Sequence, residues 1–157
     1  MRDAVAVGES YLDERATRDR RAIVIVTDGN DNESDAPIAR IRAAAQQRDI
    51  VIYAIGLLNG QDEGKAGEAR RELNNLTEST GGLAYYPASL EQIDDVALDL
   101  ARQIRTQYTL AYSPSNPSLD GSFRKIKVEA KGPAHLVVLA RPGYRATTDA
   151  LVRPSGF

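Results

Sequence analysis

Two uninterrupted apolar runs, Ala22–Val26 (AIVIV) and Ile50–Ile55 (IVIYAI), set the limits on what this chain can fold into. Both are rich in β-branched residues, too short for ordinary helices, and show no alternation with polar residues. Strands of that kind are covered on both faces, as inside a parallel sheet packed between helices. Between them Ile38, Ile41, Ala44 and Ala45 form a helical stripe, with Ser34 or Asp35 as a cap and Pro37 in the first turn. Strand, helix and strand in that order predict a parallel crossover unit.

The same alternation runs on either side. Ala4, Val5, Gly8, Tyr11 and Leu12 share a helical face within residues 4–12, and the charged segment Arg15–Arg21 ends that helix. After the polar loop NGQDEGKAG, a helix is expected over residues 67–79 with Leu73 and Leu76 inward, stopped by Gly81–Gly82. Leu83–Tyr86 reads as a third strand. Ser89 and Gln92 then form a capping box for the strongest amphipathic helix, carried by Leu90, Ile93, Val96, Ala97, Leu100, Ala101, Ile104 and Tyr108. Beyond residue 108 the pattern changes: Thr109–Tyr112, Phe123–Ala130 and Leu136–Ala140 read as strands, with a turn at Asp120–Gly121. The fold class is therefore α/β: a parallel sheet with flanking helices over residues 1–108, an antiparallel β extension over 109–146, and a tail at 147–157.

Composition narrows the function. Apolar residues make up 42% and charged residues 27%, the balance of a globular domain. A net charge of −2 provides no broad basic field for nucleic acid, and the Arg15–Arg21 cluster reads as a solvated linker. The absence of cysteine excludes disulfides, thiolate metal sites and a cysteine nucleophile. No run reaches the roughly 20 apolar residues of a membrane span, and the first turns lack the apolar segment of a signal peptide.

Chemistry concentrates at the end of the first apolar run. Asp28 lies one residue beyond it, where open α/β sheets place their ligands. Its hard oxygen, with Thr27 and Asn30 or Asp31 nearby, suits Mg2+; the same residues also suit a turn, and the pattern leaves both readings open. An EF-hand fails because Glu33 and Ala39 fill its glycine and terminal glutamate positions. A phosphate loop fails at GQDEGKA, which is one residue short between Gly60 and Gly64 and has Ala66 where magnesium needs a hydroxyl. His135 is the single histidine and no nucleophile elbow occurs. Glu91, Asp94, Asp95 and Asp99 fall mainly on the wet side of the last helix, and the tyrosines have packing roles. Asn32 and Asn75 match the glycosylation acceptor pattern. No enzyme signature remains.

The order of elements, with AIVIVTDGNDN, IVIYAIGL, LTESTGGLAYYPAS and the long helix after it, resembles the second half of a von Willebrand factor type A domain. The tail, QYTLAYSP, DGSFRKIKVEAK and ARPGYRA, is similar to the C-terminal extension of a bacterial branch of that family. The resemblance implies a doubly wound fold and a non-catalytic, adhesion-type module that binds a protein or matrix ligand through Mg2+. Such a metal site draws on a D-x-S-x-S motif, a threonine and the aspartate of a T-D-G turn, and the last maps onto Asp28. D-x-S-x-S does not occur in these residues.

That implies a domain lacking its first three strands, an incomplete metal site with Asp28 as its remnant, and no cofactor in this chain, with Mg2+ possible in an intact parent. The parent is expected to be secreted or periplasmic, as relatives with this tail often are. Ala22–Val26 would then form a bare edge, covered by a second copy along this strand or its flanking helices, or by the β extension folding back. Two other classes stand beside this reading: a Mg2+-dependent hydrolase or nucleotide-binding protein using Asp28 and Asp31, and a purely structural assembly domain.

Overall fold

The structure, a computed structural model, describes residues 1–18, 20–29, 31, 33–132 and 136–147. Its elements follow the order α1 (Arg2–Arg15), β1 (Arg21–Thr27), α2 (Ile38–Gln47), β2 (Ile50–Gly56), α3 (Glu63–Thr80), β3 (Ala84–Tyr85), a 3-10 turn (Leu90–Gln92) running into α4 (Ile93–Arg105), β4 (Phe123–Lys125) and β5 (Gly143–Arg145). β1, β2 and β3 form a parallel three-stranded sheet in sequence order, with Arg21 opposite Ile50 and Thr27 opposite Gly56. No described helix is long and apolar enough to cross a membrane.

The helices divide unevenly between the two faces. On one face Val5, Ile41, Ala45, Leu73 and Leu76 bring α1, α2 and α3 onto Ile25, Ile50, Ile52 and Ala54. On the other, α4 alone lays Val96, Leu100 and Ile104 against Tyr53, Ile55 and Ala22. β2 is thus sandwiched, which explains its unbroken apolar run; each fully buried isoleucine there contributes about 2 kcal/mol. β1 is covered by α1 on one side only. Ala22, Val24 and Val26 share the α4 face by strand alternation, yet Val24 and Val26 stay 42% and 63% exposed. Among the described residues β1 pairs only with β2.

Several boundaries depart from the sequence expectation for local reasons. α3 begins at Glu63 and not at residue 67, because the Asp62 carboxylate accepts from the N–H groups of Gly64 and Lys65 and holds two glycine-containing turns in the helix. Its end is as expected: Gly81 takes φ +84°, and the Gly82 N–H reaches the Thr77 carbonyl at 2.9 Å. Pro37 is the N-cap of α2, and Ser34 and Asp35 turn elsewhere. β3 is trimmed to two residues. The Thr80 hydroxyl accepts from the buried Ile52 N–H at 2.9 Å, where a longer third strand would have supplied a carbonyl.

Gln92 accepts from the Ala88 N–H at 2.7 Å, one residue before the N-cap, and Ser89 makes no side-chain cap bond, so the expected capping box does not form. α4 stops at Arg105, which leaves Tyr108 outside the helix and exposed; Leu90 is exposed too. Tyr11 and Ala4 likewise point away from the core, and the inward face of α1 is Val5, Glu9 and Leu12.

The β extension is smaller than expected. Thr109–Tyr112 and Leu136–Ala140 are not strands, and Phe123–Ala130 shortens to β4. The partner of β4 is the unanticipated β5, antiparallel, with Phe123 opposite Arg145. A Cβ on Gly143 would lie 2.2 Å from the Arg124 carbonyl oxygen, so glycine permits this approach where the preceding apolar run does not. This tail docks at the far end of the sheet: Arg141 pairs with Asp49 at 2.6 Å, and its backbone nitrogen lies 2.8 Å from where a Gly81 Cβ would be. Among the described residues no strand of it pairs with β1. His135, Asn32 and the segment after Thr147 lie outside the described residues.

Candidate functional site

The T-D-G turn closes β1 at the carboxyl end of the sheet. The Gly29 N–H donates to Thr27 Oγ1 at 3.0 Å, and Gly29 sits at φ +90°. A Cβ there would meet Ala69 Cβ and Leu58 Cδ2 at 2.6 Å each, so glycine is required both by conformation and by the approach of α3. The Gln61 side chain donates to the Asp28 carbonyl. The Thr27 carbonyl accepts from Leu57 N at 2.8 Å. These bonds fix the turn and leave the Asp28 side chain exposed at the rim. Below it a groove of about 500 Å3 follows the open side of β1, lined by Met1, Ala4 and Val5 and by residues 23–28.

Asp31, grouped with Asp28 by sequence, is directed to different work. Its carboxylate is nearly buried and accepts from the Met1 ammonium at 3.1 Å, and from the Arg2 backbone N–H and Nε at 2.9 Å each. Burial alone would raise its pKa; hydrogen bonds from Ser34, the chain terminus and Arg2 outweigh that and hold it well below the usual carboxylate range. The Asp3 carboxylate in turn accepts from the N–H groups of Asp35 and Ala36, and Ser34 Oγ accepts from the Asp3 N–H. Ser34 therefore caps α1, while Asp3 holds the loop leading to α2. Sequence spacing gave no sign of this reciprocal clasp, because its partners are some thirty residues apart.

The other candidates resolve as structure. Asp62 occupies the N–H groups of Gly64 and Lys65 that a phosphate loop would have offered. Asp99 leaves the wet face to accept from the Tyr85 hydroxyl at 2.8 Å; burial and this carboxylate both raise the phenol pKa. Tyr86 donates to Asn74 at 2.7 Å under the Arg70 guanidinium, and burial pushes its pKa up to about 12. Asn75 lies within α3.

A parallel sheet in this order, a T-D-G turn at its carboxyl end and helices on both faces agree with one known family, whose model, the von Willebrand factor type A domain, matches residues 3–99. The chain belongs to that family. The match spans α1 to the middle of α4, so this type A domain carries its clasp, its T-D-G turn and its open β1 inside the matched region, with the β4–β5 extension beyond it. No curated protein matches the chain. Type A domains serve in protein interaction and adhesion, and that is the class of function the family gives here.

Proposed function

We propose that this type A domain is a non-catalytic binding module, which meets a protein or matrix ligand at the rim around Asp28 and self-associates along β1. The observation that carries the first part is the T-D-G turn: Thr27, Gly29 and Gln61 brace its backbone, and Asp28 is exposed at the carboxyl end of β1. Rigid backbone with an outward oxygen is the geometry of a recognition point.

Mg2+ fits these residues only in part. The ion takes six oxygens in near-octahedral order and gives up its waters reluctantly. Asp28 is the exposed carboxylate of this turn, the Thr27 hydroxyl already accepts from the Gly29 N–H, and Asp31 is committed to α1. Metal in this chain is accordingly expected to bind weakly. The same commitment speaks against a hydrolase using Asp28 and Asp31 as a pair, since both would have to face one ion. Calorimetric titration with Mg2+ and Mn2+, alongside Asp28→Ala, tests the site: absent or weak heat is expected, and tight saturable binding abolished by the substitution would show a complete site. Mg2+-dependent turnover of p-nitrophenyl phosphate that vanishes in Asp28→Asn would overturn the non-catalytic reading.

A further inference from the structure

Glu9 and Asp13 stand one turn apart on α1, and both aim a carboxylate at Arg48, the C-cap of α2. Their surroundings are unequal. Asp13 is open to solvent and accepts from Arg48 Nε at 3.2 Å, while Arg21 Nη1, from the start of β1, reaches its other oxygen at 3.2 Å. Glu9 is 1% exposed. Its Oε2 is 3.9 Å from Arg48 Nη1, beyond hydrogen-bond reach, and its Oε1 has no donor among the described residues.

We propose that Arg48 is the moving part of a pH-operated latch between α1 and α2: it bonds Asp13 while Glu9 holds its proton, and swings to Glu9 once that proton leaves.

The observed geometry is that of the protonated state. A buried carboxylate without a donor is costly, whereas the neutral acid carries no charge to desolvate. One carboxylate, Asp13, then faces two guanidinium groups, those of Arg21 and Arg48. Loss of the Glu9 proton makes the count two and two. Arg48 is the guanidinium within reach, and its Nη1 has to close only about 1 Å to make a charge-assisted bond to Oε2. The guanidinium is a rigid fork, so turning Nη1 inward draws Nε off Asp13. The Arg48 side chain is 30% exposed and free of a tight cage, and Asp13 keeps Arg21 when Arg48 turns away.

Burial raises the Glu9 pKa to about 7 against the pull of Arg48, which sets the changeover near neutral pH. The latch lies toward the end of α1, away from the clasp that Asp3, Asp31 and Ser34 make at its start. Deprotonation therefore moves the tie to α2 one turn back along α1 and takes from its last turn the bond to Arg48. The first turn stays fastened to the loop after β1. A rise in pH through neutrality is converted into freedom at one end of one helix.

Carbon-13 and nitrogen-15 NMR of the unaltered chain tests this, by following the Glu9 carboxyl and the Arg48 Nε–H through a pH series. Both should move with a single midpoint of about 7. His135, the one histidine, titrates in the same range and is tracked by its own ring signals. In parallel, unfolding constants give the coupling between Arg48→Gln and Asp13→Asn. It should be roughly threefold at about pH 5.5 and absent at about pH 8.5, and with Glu9→Gln in the background it should persist at both. A Glu9 midpoint in the ordinary carboxylate range, an Arg48 signal that stays still through the Glu9 titration, or a coupling equal at the two pH values overturns the proposal.

Discussion

One oxygen of Asp31 receives both the backbone N–H and the Nε of Arg2, each at 2.9 Å, and so ties the start of α1 to the loop after β1. The bond joins elements that carry the two sides of the groove. Asp31→Asn removes the charge and one acceptor from a nearly buried site and should cost about 1–3 kcal/mol. In a chain of this length the melting temperature should fall by roughly 3–10 °C. The folded pKa of Asp31 is depressed. Its stabilisation is therefore complete above the ordinary carboxylate range and is lost as pH drops through the folded value, and melts taken down through the acid range should show a smaller loss in the variant.

Glu9 has the opposite sign. It is buried under α1, with Oε1 unpartnered and Oε2 3.9 Å from Arg48, which Asp13 also engages at 3.2 Å. Burial, offset in part by Arg48, pushes its pKa from 4.5 up to about 7. The folded state then holds a proton that the unfolded state releases, so stability declines as pH rises from about 4.5 to 7 and levels off above. Glu9→Gln should flatten that decline, by about 3 kcal/mol between its limits. Thermal melts of both proteins between pH 5 and 8 check it; parallel curves would refute it.

Gly29→Ala should destabilise by about 2–4 kcal/mol, from positive φ and from the collision with Ala69 and Leu58. Chemical denaturation measures the loss, and Asp28-dependent binding should fall with it. Gly60→Ala provides the comparison: its φ is also positive, but a Cβ there meets nothing within 4 Å, so the cost should be about 1 kcal/mol.

Thr80 separates a hydroxyl from its shape. Thr80→Val leaves the Ile52 N–H buried without an acceptor and should cost about 1–3 kcal/mol, while Thr80→Ser should recover most of it. Hydrogen exchange at Ile52 should quicken in the valine variant and remain slow in the serine variant.

What the sequence disclosed depended on how local the cause was. The apolar runs at Ala22–Val26 and Ile50–Ile55 fell on β1 and β2 within a residue or two, because unbroken β-branched runs need no long-range information to be recognised, although only β2 has the expected cover on both faces. Gly81 announced the end of α3 for the same reason. The clasp of Asp3, Asp31 and Ser34 was illegible, since short polar residues in a turn fit a metal, a cap or a tether equally well until the distant N–H groups are placed. The tail misled for a different reason. Leu136–Ala140 has strand composition without a paired neighbour, whereas Gly143–Arg145 pairs because a glycine admits the partner backbone. At the rim, the place of Asp28 just beyond β1 was legible from the apolar run before it, and Gln61, which donates to its carbonyl, came from a loop that gave no signal.

Among the described residues, β2 alone has a strand on each edge and helices on each face. On a ribosome, α1 and β1 emerge before it, so the pairing of Ile23, Val24, Ile25 and Val26 with β2 waits until Ile50–Gly56 is clear of the tunnel. Slow translation through α2 would lengthen that interval and leave the segment open to chaperones, while a lesion in β2 would remove the strand that β1 and β3 both pair with.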